Sequence, residues 1–155
     1  MANTYTQIHI HAVFAVKYRE ALINQKWKIE LYKYITGIIQ DYNHKLLIVN
    51  GVEDHIHILF GFRPTQSLSD LMYNVKAFSS GWINKKGFLP KEFNWQGGFG
   101  AFSYAKSDLM SVIRYIERQE EHHRKEFLRE EYIKLLNDFE INYDERYIFK
   151  DIYSK

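Results

Sequence analysis

The sequence predicts an α+β fold: a ferredoxin-like βαββαβ antiparallel sheet, with helices on one face and a C-terminal helix on the other. Three observations point there. Apolar residues change period along the chain, from two to 3.6, in the order β-α-β-β-α-β followed by helices. The only two prolines, Pro64 and Pro90, fall between periodic segments. A length of 155 residues suits one domain, with a core over about 5–125 and a C-terminal helix and extended tail over about 126–155.

Residues 5–18 alternate as a strand, Ile8, Ile10, Ala12, Phe14 and Val16 pointing one way and Gln7, His9, His11 and Val13 the other. Residues 24–42 read as a helix with Trp27, Leu31, Tyr34, Ile35 and Ile38 on one stripe. Lys45–Val52 is a second strand, Asn50-Gly51 a turn, and His55–Phe62 a third strand. Ser67 is placed to cap a helix over 68–85 whose inner face carries Leu68, Leu71, Met72, Val75 and Phe78. The glycine- and aromatic-rich segment 95–104 holds the last strand, near Ala101–Tyr104. Ser107 is then expected to cap a helix from Asp108 to about Glu121, and helical sequence continues to about Phe139. The tail after residue 140 reads as extended.

Composition narrows the function. With no cysteine, disulfide scaffolds and thiolate metal sites are excluded. No basic segment precedes an apolar run at the N-terminus, and no stretch of about 18 apolar residues exists, so the expectation is a cytoplasmic protein with no membrane partner. Charge is uneven: residues 1–91 carry a net +5 and residues 92–155 a net −3. The basic bias of the first part permits a polyanionic partner without demanding one. Aromatics make up 17% of the chain, enough to supply stacking or interface surfaces besides a core.

The candidate chemistry starts at residues 54–60, Asp-His-Ile-His-Ile-Leu-Phe. Residues i and i+2 of a strand share a face, about 6.5–7 Å apart along the chain. His55 and His57 therefore aim at a common point and suit two ligands of one metal ion, with Asp54 able to orient an imidazole. His9 and His11 have the same spacing, and the first and third strands are central neighbours in this fold. Geometry alone does not choose between the two pairs. Further on, Tyr115 and Gln119 are four residues apart, one turn of a helix, and that helix is the natural cover for the histidine face.

In this order, the third strand with its His-x-His, the segments 67–83 and 95–104, and Tyr-x-x-x-Gln in residues 112–123 resemble the single-tyrosine HUH transposases of the smallest bacterial insertion sequences and their repeat-associated relatives. The resemblance runs to about residue 125. It implies that His55, His57 and Gln119 bind a divalent metal, Mg²⁺ or Mn²⁺, and that Tyr115 is the nucleophile. It also implies cleavage of single-stranded DNA through a 5′-phosphotyrosine, hairpins at element ends as substrate, and a homodimer. His9 and His11 match no motif and are assigned to strand packing or a DNA-facing surface, not to the metal. A free phenol titrates near ~10, and holding it ionised at pH 7 costs on the order of 4 kcal/mol, so positive charge near the phosphate has a clear task.

For the DNA surface, Lys17, Arg19 and Trp95 are the candidates. Lys76, Lys85 and Lys86, with Phe99, Phe102 and Tyr104 as stacking rings, are consistent with it. Two other functions fit parts of the pattern: a non-catalytic nucleic-acid-binding module, and a histidine-metal hydrolase without a covalent intermediate.

Overall fold

A computed structural model of the chain describes residues 3–121 and 128–143. Four strands, β1 (His9–Ala15), β2 (Lys45–Val52), β3 (His55–Gly61) and β4 (Gly100–Ser103), form one sheet in the order β2-β3-β1-β4. Every neighbouring pair is antiparallel. Helices α1 (Lys28–Asp41) and α2 (Leu68–Lys86) cover one face, whereas α3 (Leu109–Glu117) and α4 (Leu128–Asp138) lie over the other. This is the α+β arrangement the periodicity predicts. Among the described residues no helix is long and apolar enough to cross a membrane.

The first face is the main core. Ala12 and Phe14 of β1 and Ile56, Ile58 and Phe60 of β3 pack against Leu31, Ile35 and Ile39 of α1 and Leu71, Met72 and Val75 of α2. All of these are fully buried. Ser67 caps α2 by accepting from Asp70 N–H at 3.0 Å, and Gly87 ends it at φ 68°.

Several boundaries differ from the sequence reading. Helix α1 begins at Lys28, because Asn24 Oδ1 accepts from Lys26 N–H at 2.8 Å and holds residues 24–27 in a turn. Asn50 and Gly51 lie inside β2, not in a turn. A Cβ on Gly51 would meet His55 O at 2.2 Å, so this glycine serves a close approach of β2 to β3. Phe78 is exposed, and Ser79 and Ile83 take the inner positions of α2 in its stead. Ser107 does not cap a helix: residues Lys106–Asp108 form a 3₁₀ turn, and α3 follows with no side-chain cap. The predicted extended tail lies, from residue 144 on, outside the described residues.

The second face carries two small apolar patches. Val13, Ala15 and Phe102 pack with Tyr132 and Leu136 of α4; Leu59 packs with Val112 and Ile116 of α3. Helix α4 comes so close to β4 that a Cβ on Gly100 would meet the Tyr132 ring at 2.3 Å. Between these patches lie the buried polar groups.

Candidate active site

The alternation of β3 that sends Ile56, Ile58 and Phe60 to the core turns His55 and His57 to the other face, both fully buried. His55 is held from behind. Its Nδ1 donates to Asp54 Oδ1 at 2.7 Å, and Arg19 donates to Asp54 Oδ2 at 3.0 Å. Burial alone would raise the Asp54 pKa, but the bond and charge of His55, and then those of Arg19, lower it. Tyr18 and Arg19 sit at φ 59° and 55°, and this left-handed turn after β1 carries the guanidinium inward.

Arg19 therefore does not belong to the DNA surface: it is 5% exposed and serves an internal ion pair. Trp95 is buried as well, with its Nε1 donating to Ser79 Oγ at 2.9 Å and its ring edge-on to Phe14 and Phe93. It cannot stack a base without leaving the core. Of the three candidates only Lys17 is exposed. Lys76 donates to Gln96 O and Gly98 O, which holds a loop rather than a phosphate.

The tyrosine helix covers the histidine face of its own chain. The Tyr115 ring centroid lies 5.9 Å from that of His57, edge-on. The predicted continuous helix through Gln119 is interrupted: α3 ends at Glu117, and residues 119–121 begin a separate helical turn. Asn50 Nδ2 donates to Ile116 O at 2.8 Å and so supplies a partner for a helix-end carbonyl. Past this break Gln119 turns inward and is fully buried, its Oε1 accepting from His55 Nε2 at 3.2 Å.

Sequence reasoning missed Glu131 of α4. It is 3% exposed. Its Oε1 accepts from Tyr115 Oη–H, lies 3.0 Å from His57 Nε2, and is 3.5 Å from Gln119 Nε2. Burial would raise its pKa, yet the hydrogen bond and charge of His57, the charge of His55 and the bond from Tyr115 pull it down to about 2. The ligand atoms of His55, His57 and Glu131 all lie within 4.8 Å of one another, a set that fits a divalent cation. The available signal was position. Glu131 precedes Leu135 by one helical turn and adjoins Tyr132 and Leu136 on the buried side of α4, where an unpartnered carboxylate would be costly.

The other histidine pair divides. His9 is half-buried at the edge of a shallow groove with Tyr5 and Arg63. His11 is fully buried, its Nε2 2.8 Å from His57 Nδ1 and its ring stacked on that of His57 at 5.0 Å. A cleft of about 650 Å³ between β4, α3 and α4 opens onto Tyr115 and Glu131, with Tyr104, Asp108, Lys134 and Asp138 along it.

The family described as "Transposase IS200 like" matches residues 4–119. A candidate transposase from Deinococcus radiodurans, solved by crystallography, superposes with a TM-score of 0.62 at 18% identity, covering 77% of this chain and 95% of that one. A REP-associated tyrosine transposase bound to a REP hairpin superposes at 0.60 with 14% identity, covering 79% and 73%. At these identities the structural likeness speaks for the fold. No curated protein matches the chain in sequence.

Proposed function

The chain belongs to the IS200-like transposase family, and from that premise we propose that it cleaves and rejoins single-stranded DNA with Tyr115 as nucleophile. A divalent ion, Mg²⁺ or Mn²⁺, would be held by His55, His57 and Gln119, with Glu131 as a further ligand. The observation that carries this reading is that one buried carboxylate oxygen of Glu131 meets both Tyr115 Oη and His57 Nε2. Phenol and imidazoles therefore share one centre within a single chain.

In the proposed reaction Tyr115 Oη attacks the scissile phosphorus. The Oη–P bond forms as the P–O3′ bond breaks, leaving a 5′-phosphotyrosine and a free 3′-hydroxyl; solvent takes the phenol proton and supplies the one on O3′. A 3′-hydroxyl of a second strand reverses the step, so the bond energy is kept and no nucleotide is consumed. Glu131 aims the phenol through its hydrogen bond. The ion, when bound, supplies positive charge beside the scissile phosphate. The Glu131 oxygen shifts the ligand set toward Mg²⁺ or Mn²⁺, which two imidazoles and an amide leave less defined.

As partners we propose single-stranded hairpins at element ends, in line with the solved relative bound to a REP hairpin. A homodimer would bring two such sites together, each already complete in its own chain. The test is a 3′-labelled single-stranded element end incubated with protein and Mg²⁺ or Mn²⁺. Label is expected on the protein with the wild type and none with Tyr115→Phe. Cleavage without an adduct, persisting in Tyr115→Phe, would replace this mechanism with hydrolysis.

A further inference from the structure

His11 has no role in the function just proposed, yet it sits against one of its central residues. On the same face of β1, Val13 and Ala15 are apolar and join the patch with Phe102 and Tyr132. An apolar side chain at position 11 would extend that patch, since the ring centroid already lies 5.9 and 6.1 Å from those of Phe102 and Tyr104. Instead the chain buries an imidazole completely, and among the described residues its Nδ1 has no hydrogen-bond partner. Leaving a polar nitrogen dry is unfavourable. What offsets it is the contact made by the other nitrogen, His11 Nε2 to His57 Nδ1 at 2.8 Å. Antiparallel pairing sets His57 opposite Val13, which makes His11 and His57 diagonal neighbours on that face.

We propose that His11 is a positioning residue: its Nε2 accepts a hydrogen bond from Nδ1–H of His57, fixing that ring so that Nε2 faces the metal site. The inference rests on the proposed reading of His57 as a ligand. A histidine that ligates through Nε2 carries its proton on Nδ1, and the acceptor of that proton sets both tautomer and ring angle. His55 has the same service from Asp54. The two ligands thus have different holders, an ion-paired carboxylate for one and an imidazole for the other.

The experiment combines ring-nitrogen NMR with Mn²⁺ titration of the full chain, read by water proton relaxation and without DNA. In the wild type His11 is expected with a bare Nε2 and a protonated Nδ1. His11→Phe fills the space without an acceptor and is expected to lose roughly 10–100-fold in Mn²⁺ affinity. His11→Gln, whose Oε1 can accept, is expected to recover most of that loss, and His9→Ala to leave affinity unchanged. A folded His11→Phe that binds Mn²⁺ like the wild type would overturn the proposal. So would a wild-type His11 protonated at Nε2, a result that needs no variant to fold. A wild type that binds neither Mn²⁺ nor Mg²⁺ would overturn the ligand reading itself, a separate failure from loss confined to His11→Phe.

Discussion

Strand β3 serves two faces that are built on opposite rules. Toward α1 and α2 it presents Ile56, Ile58 and Phe60, each fully buried among apolar neighbours. Toward α3 and α4 it presents His55, His57 and Leu59, equally buried, but the histidines meet Asp54, Gln119, Glu131 and His11. The first face gains from every ångström of area removed from water. The second confines charged and polar groups that cost free energy unless partnered, so each partner there is specified. The difference teaches that burial alone does not distinguish core from site; the kind of partner does.

The comparison breaks most completely at His57. His57→Ala is expected to abolish the protein–DNA adduct while hairpin binding and the folded circular dichroism spectrum persist, because the apolar face is untouched. Equal loss of hairpin binding would mean that the second face is structural. The reciprocal change is Phe60→Ala on the first face, expected to lower unfolding free energy by about 3–5 kcal/mol in urea denaturation. Adduct formation well below its melting temperature should stay close to the wild-type rate. If Phe60→Ala costs activity before stability, the two faces are not separable in the way the packing suggests.

A finer test lies behind His55. Asp54→Asn keeps the side chain's shape but removes the charge that receives His55 Nδ1–H and pairs with Arg19. Mn²⁺ affinity is expected to fall roughly 10–100-fold, measured on DNA-free protein. Since Asp54 and Arg19 are both buried, a loss of stability should accompany it, unlike the change expected of an exposed ion pair.

The first face was legible in the sequence and the second only in part. Strand alternation and helical spacing identify Phe14, Ile58, Leu71 and their neighbours, because a period is a property of one segment read alone. His55, His57, Tyr115 and Gln119 were singled out by their motif and come together in one chain. The break at Arg118 was not visible, since it depends on Asn50, 68 positions earlier, reaching the end of α3. Glu131 was marked only by its place beside the apolar stripe of α4, and it is the docking of α4 on Gly100 and Phe102 that turns this one glutamate among several inward. Arg19 and Trp95 misled because residue type suggested a surface, whereas a left-handed turn and a hydrogen bond to Ser79 take them inside.

The smallest expected effect is at Lys17, and it sharpens the contrast from outside both faces. Lys17 lies just past β1 in the turn that buries Arg19, so the two cations flanking Tyr18 part ways: one holds Asp54, the other reaches solvent. If Lys17 meets a phosphate of the bound hairpin, Lys17→Ala should weaken binding alike for different hairpin sequences and reduce the log–log salt slope by about 1. Mn²⁺ affinity should be unaltered, because nothing joins Lys17 to the histidines except the backbone it shares with Arg19. Arg19→Ala should do the reverse, disturbing the metal site through Asp54 with little change in salt slope. An equal salt-slope change in both variants would mean that Arg19 leaves its ion pair when DNA binds, and the boundary between site and surface would then lie inside the turn at residues 17–19.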